Sequence, residues 1–220
     1  MLIIPHLFTR TCSALMFGTI FIGTLVFLPP IYFSALLAAI LCWILIIEWS
    51  TFIFRSFRLI ALTPLYPILP FIFLIYLNQH TVYHALLYYL FSMVFAYDTC
   101  AYIAGNIWGH HKIAPTISPG KTWQGLIGGY CGTFLAACIL RQWYGSTISW
   151  KYLLLFSVTV CLAAFVGDLF ESWLKRKVGL KDAGTIMPGH GGLLDRFDSI
   201  MVVAIFFYIL RNHLVSILLS

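Results

Sequence analysis

The chain has 220 residues, of which 61% are hydrophobic and only 9% charged, and it carries a net charge of +6. Soluble domains carry about 25% charged residues, so a soluble globular protein is excluded and an integral membrane protein is indicated. The positive charge therefore reads as cytoplasmic loops facing anionic headgroups and phosphorylated substrates, not as a nucleic-acid surface.

The apolar runs are continuous instead of alternating, which points to a helical bundle and away from a closed barrel. The first run spans Thr11 to Leu28, follows Arg10 and ends at Pro29-Pro30 without a small-residue cleavage pattern, so it reads as a retained helix. The second spans Ile31 to Trp49, where Trp49 suits an interface and Glu48 reads as an interfacial or structural carboxylate. The third, Leu59 to Leu77, contains Pro64, Pro67 and Pro70 and should be kinked. The fourth begins at Ala85 and carries Asp98 in FAYDTCAY. A carboxylate inside an apolar helix is costly and is by default a functional candidate; the alternative is a structural hydrogen bond to a neighbouring helix. After a polar loop from Gly105 to Trp123, the fifth run (Gln124 to Leu140) opens with Gly125 and Gly129, a GxxxG pair suited to close helix packing. The sixth is Tyr152 to Phe170 and the last is Ser199 to Leu219, with Arg211 and His213 snorkelling to the far interface.

The expected fold is thus an all-α polytopic bundle of about seven transmembrane helices in a single domain. Residues 1–84 form its N-terminal helices, and residues 85–220 hold the polar loops. No internal repeat, low-complexity tract or linker divides it. With a cytoplasmic N-terminus, ten Lys and Arg residues fall on the cytoplasmic side against two, Arg141 and Lys151, outside. The six cysteines (Cys12, Cys42, Cys100, Cys131, Cys138 and Cys161) form no CxxC pair and read as buried apolar thiols.

Charge is concentrated in one stretch, SWLKRKVGLKDAGTIMPGHGGLLDRFD, from Ser172 to Asp198. Just before it, Asp168, Glu171 and Ser172 share one helical face by i, i+3, i+4 spacing, and Asp195 and Asp198 pair at i, i+3. These groups either neutralise one another in salt bridges or serve a metal-assisted phosphate reaction. In the second case Mg²⁺ takes a few carboxylates plus phosphate oxygens and basic residues hold the remaining charge. Gly189, Gly191 and Gly192 allow close approach of an anion, and His190 can bind phosphate or move a proton. A zinc site is not supported by the adjacent His110 and His111. The segment SPGKT (Ser118 to Thr122) is not a P-loop, because Pro115 stands where that motif needs Gly. Ser118, Lys121 and Thr122 remain phosphate-ligand candidates at a helix start, where Thr122 or a neighbour can instead cap the helix.

The stretch resembles the signature of the phosphatidate cytidylyltransferase (CDP-diacylglycerol synthase) family: S-x-x-K-R, then K-D, P-x-H-G-G and D-R-x-D. Ser172, Lys175, Arg176, Lys181, Asp182, Pro188, His190, Gly191, Gly192, Asp195, Arg196 and Asp198 all match at the right spacing. GDLFES and SPGKTWQG resemble the family as well; the likeness covers roughly Asp98 to Ser199. Family members are usually longer at the N-terminus, and YDTC at Tyr97 to Cys100 departs from the common pattern while keeping its Asp.

The resemblance implies attack of phosphatidic acid on the α-phosphate of CTP, giving CDP-diacylglycerol and pyrophosphate at the cytoplasmic face of a bacterial inner membrane. It implies Asp168 and Asp195 as ligands of Mg²⁺, with room for a second, monovalent cation, and Ser172 and Asp198 in support. Lys175, Arg176, Lys181 and Arg196 would hold phosphates, and His190, Gly191 and Gly192 would line the nucleotide side. Ser118, Lys121, Thr122, Asp98 and Asp182 complete the substrate-binding set, and a homodimer is implied. Competing readings are a CTP-dependent polyprenol kinase, a channel or transporter, and an inactive shortened homologue serving as an assembly subunit. Transport predicts polar groups spread through midplane helices, whereas the charges here collect at one interface.

Overall fold

A computed structural model describes residues 16–184 and 191–219. The apolar runs become helices: α1 (Met16–Phe27), α2 (Pro30–Arg55), α3 (Phe57–Gln79), α4 (Thr81–Trp108), α5 (Trp123–Trp143), α6 (Trp150–Lys177), α7 (Leu194–Ile209) and α8 (Arg211–Leu218). Between α4 and α5 lies an antiparallel hairpin, β1 (Lys112–Ala114) and β2 (Ser118–Thr122), in which Lys112 faces Thr122. Among the described residues the fold is all-α apart from this hairpin.

Five helices, α2 to α6, are long and apolar enough to cross a bilayer, and a sixth span is counted if α7 and α8 are taken together. The expected seven are not reached among the described residues, because α1 is shorter than a span and the last run is not straight. Its two helices meet at 84°. At that corner the Arg211 guanidinium donates to the Tyr208 carbonyl at 2.7 Å and lies 4.4 Å from the centre of the Tyr208 ring. Arg211 is therefore held against aromatic side chains at the corner. The prolines of α3 disturb it as expected: its first half is 3₁₀ and π-helical, Tyr66 leaves helical geometry (φ −150°, ψ 112°), and regular helix follows from Leu69.

The packing rests on small residues and aromatic rings. α5 lies against α4 along Gly125, Gly128, Gly129 and Gly132, so the GxxxG pair belongs to a longer glycine face. A Cβ at Gly132 would stand 2.6 Å from the Ala96 carbonyl oxygen, a distance no side chain tolerates. The Phe21 ring ties α1 to the bundle, with centroids 5.0 Å from Phe33 on α2, 4.9 Å from Phe91 on α4 and 5.9 Å from Phe197 on α7, all edge to face. The thiols differ from expectation: Cys161 is buried, Cys100 and Cys138 are half-buried, and Cys42 and Cys131 are exposed. Cys42 and Cys131 lie in helices long and apolar enough to cross a bilayer, where an outward apolar thiol meets lipid without penalty.

The two ends of the bundle are chemically unlike. At one end Arg55 reaches the carbonyl of Val178 (3.3 Å), and Arg176 reaches the carbonyl of Ile117 in the hairpin turn (3.1 Å). The hairpin, the signature stretch and their basic residues therefore share that end. At the other end Asn78 donates to Pro30 O (2.6 Å) and Ser34 Oγ (2.9 Å), Tyr83 donates to Asn212 Oδ1 (2.7 Å), and Arg141 donates to Ile148 O (3.0 Å). This grouping is the one that the Lys and Arg count requires.

Candidate active site

At the basic end a cavity of about 800 Å³ opens between α1, α4, the hairpin, α6 and α7. Its polar part includes Asp98, Lys121, Thr122, Asp168, Asp195, Arg196 and Asp198, with Thr99 and Asn106 from α4. Its other wall is apolar and aromatic: Phe17, Phe21 and Ile22 from α1, with Phe95, Phe165 and Ile200.

Each polar group is delivered by a local feature of the chain. Asp168 lies one residue after Gly167, and a Cβ at Gly167 would fall 2.6 Å from Asp198 O and 2.9 Å from Ser199 Cα. Without a side chain there, α6 and α7 close on each other, bringing Asp168 and Asp198 to the same cavity. The Asp168 carboxylate forms an ion pair with Lys121 through Oδ2 and accepts from Ser172 Oγ at 3.4 Å through Oδ1. Burial works against the Lys121 ammonium, but the adjacent Asp168, with Asp98 and Asp198 further off, outweighs it and raises the group above the ordinary lysine value. Lys121 therefore stays cationic throughout the physiological range.

Behind this layer lies a buried ionic triad. Lys175 donates to Glu171 Oε2 at 3.0 Å and to Asp195 Oδ1 at 2.6 Å, and Glu171 is fully buried. Asp195 Oδ2 accepts from the backbone N–H of Gly192 (2.7 Å) and of Ala183 (3.0 Å), so one carboxylate ties together the two flanks of the signature loop. Asp198, almost enclosed, accepts from the N–H of Ser199 at 2.6 Å. Gly191 turns with φ +83°, a conformation open to glycine, at the approach to α7.

The structure thus brings together Asp98, Lys121, Thr122, Asp168, Asp195, Arg196 and Asp198, with Ser172 and Lys175 one bond behind. The salt-bridge reading of these charges is realised in part, in the Lys121–Asp168 pair and the Lys175 triad. Gly192 takes part through its backbone N–H, and Gly191 neighbours the Asp195 carboxylate. Four candidates stand apart from the cavity wall. Ser118 sits at the far end of β2 opposite Ala114, Arg176 braces the hairpin and the Leu180 carbonyl, and Lys181 and Asp182 are exposed. His190, Pro188 and Arg10 lie outside the described residues.

Thr122 performs the capping role: its Oγ1 accepts from the Gly125 N–H at 3.1 Å at the start of α5. Thr122→Val keeps the shape and removes the cap, and is expected to cost about 1 kcal/mol. A melting curve in detergent reads this.

No group of three or more His, Cys, Asp or Glu side chains among the described residues is placed to hold a metal ion by itself. Mg²⁺ is commonly held by one or two carboxylates together with phosphate oxygens and water. Asp168 and Asp195 face one cavity and can supply the carboxylates.

Two acidic residues matter more than the sequence suggested. Glu171 anchors the Lys175 triad. Glu48, from an otherwise apolar helix, is 1% exposed and accepts from the backbone N–H of Leu193 (2.8 Å) and Leu194 (2.7 Å). The structural reading of Glu48 holds. Its one visible signal was being one of only seven acidic residues in the chain.

Residues 3–214 match the model of the cytidylyltransferase family. A phosphatidate cytidylyltransferase of Rickettsia bellii is 33% identical over 214 residues, which are 93% of this chain and 90% of that protein. Proteins of the same name from Haemophilus influenzae (40% identity over 134 residues) and Staphylococcus aureus (46% over 118) align with 58% and 52% of this chain. They are longer: the aligned part is 46% and 44% of their own length.

Proposed function

The chain belongs to the cytidylyltransferase family, and we propose that it transfers the cytidylyl group of CTP to phosphatidic acid, forming CDP-diacylglycerol and pyrophosphate for phospholipid synthesis. The observation that carries this reading is the two-sided cavity. Carboxylates and cations lie at one end and an aromatic wall lies along the other, matching a substrate with a phosphate head and acyl chains. In this reading the basic end faces the cytoplasm of a bacterial inner membrane, where CTP is available; the distribution of Lys and Arg supports that side. The homodimer implied by the family resemblance belongs to the same proposal and is read from the particle mass in detergent.

In the reaction an oxygen of the phosphatidic acid phosphate attacks the α-phosphorus of CTP. The new P–O bond forms as the bond from that phosphorus to the oxygen bridging to the β-phosphate breaks, and pyrophosphate leaves with the electron pair. A phosphate monoester is already anionic at neutral pH, so no side chain needs to remove a proton. The protein's task is to bring two polyanions together. Lys121 and Arg196 face the cavity and neutralise phosphate charge, and Ser172 and Lys175 hold Asp168 and Asp195 in place. Mg²⁺ held by Asp168 and Asp195 would screen the remaining charge and polarise the phosphate under attack.

The deciding experiment is pyrophosphate release by purified protein in detergent. Release that requires CTP, phosphatidic acid and Mg²⁺ together is expected. Formation of CDP with a polyprenol in place of phosphatidic acid would assign a kinase instead. CTP binding without turnover would point to an assembly subunit.

A further inference from the structure

One face of α2 touches both ends of the signature loop. Glu48 and Arg55 are seven residues apart, two turns of helix, and so lie on the same side. Arg55 reaches the carbonyls of Val178 (3.3 Å) and Gly179 (3.5 Å), where α6 ends. Glu48 reaches the N–H groups of Leu193 and Leu194, where α7 begins. The charges are in the favourable order: a cation at a helix C-terminus and an anion at a helix N-terminus. The first N–H groups of a helix have no partner within it, and each oxygen of Glu48 takes one of them. Glu48 also lies in a π-helical segment, Ile44–Trp49, in which Ile44, Glu48 and Trp49 are all buried. Such widened turns commonly occur at functional sites.

The loop is also shaped to receive this carboxylate. A Cβ at Gly184 would lie 2.8 Å from Glu48 Oε1, and one at Gly192 would lie 2.7 Å from it. Gly192 in turn donates to Asp195, one residue past Leu194. Moving Glu48 therefore moves the start of α7, and with it the Asp195 carboxylate and its contact with Lys175.

We infer that Glu48 is a positioning residue for the transfer reaction: it sets the place of Asp195 without touching substrate. The inference rests on the proposed function for its kinetic part only. Glu48→Gln keeps the volume but turns an NH₂ group towards a backbone N–H, leaving one of the two donors unmatched. It is expected to lower kcat by about 10- to 100-fold, as loss of a group orienting a ligand does, with KM for phosphatidic acid unchanged. Amide hydrogen exchange at Leu193 and Leu194 should accelerate while that of α4 and α5 stays as in the parent. Glu48→Asp, which keeps the charge, should recover part of both effects.

Parental kcat and parental exchange in Glu48→Gln would overturn the inference. So would a lower melting temperature with parental exchange at Leu193 and Leu194 and parental kcat per folded molecule, which is the signature of packing alone. If the parent protein releases no pyrophosphate, the functional reading falls, and the exchange measurement still decides whether Glu48 holds the start of α7.

Discussion

Asp195→Asn is expected to lower kcat by about 10²- to 10³-fold, the loss seen when one preorganised electrostatic group is removed from a transition state, and to leave the protein folded. The carboxylate faces the cavity and is one of two proposed to meet Mg²⁺. The asparagine oxygen can still accept from Gly192 or Ala183, so the loop keeps an anchor. Lys175 also keeps Glu171 as a partner at 3.0 Å, so no buried ammonium is stranded. The contrast is Lys175→Met. It leaves the fully buried Glu171 charge without its cation, and breaking a buried pair in this way costs about 3–5 kcal/mol. Turnover per folded molecule and melting temperature should therefore separate the two variants: the first is folded and inactive, the second poorly folded. A folded, fully active Asp195→Asn would remove the two-carboxylate arrangement from the mechanism.

What could be read in advance followed the range over which each signal acts. Continuous apolar runs report burial in lipid residue by residue, so the middles of α2 to α6 were legible, whereas the polar ends, to Arg55 in α2, from Thr81 in α4 and to Lys177 in α6, were not. The i, i+3 spacing of Asp195 and Asp198 and the shared face of Asp168 and Ser172 are local, so their convergence was legible too. The hairpin was not: β1 has three residues, and β2 contains Pro119 and Gly120, which read as loop. The corner between α7 and α8 was hidden because apolarity continues through Leu210. Arg211, read as snorkelling to the far interface, sits at that corner against Tyr208. The role of Glu48 depends on partners 145 and 146 residues away, which no periodicity connects. The basic sites divided on tertiary grounds as well: Lys121 and Arg196 face the cavity, while Arg176 is occupied by the Ile117 carbonyl.

Gly167→Ala tests the feature that joins fold to chemistry. On an isolated helix this change would be favourable by about 0.5–1 kcal/mol. Here the added Cβ would sit 2.6 Å from Asp198 O and 2.9 Å from Ser199 Cα, both backbone atoms that cannot rotate away. Overpacking of this kind costs about 1–3 kcal/mol, which exceeds the propensity gain, so α6 must move off α7. The next residue, Asp168, moves with it and loses its place opposite Asp198. Misplacement of a reacting group by about 1 Å costs on the order of 10²-fold in rate. The expected result is a lower melting temperature together with a fall of about that size in kcat. Gly23→Ala in α1 is the control: nothing lies within 4 Å of the added atom, and it should melt at or above the parent temperature with parental activity. If Gly167→Ala behaves like Gly23→Ala, the close approach of α6 to α7 is not what sets Asp168 beside Asp198.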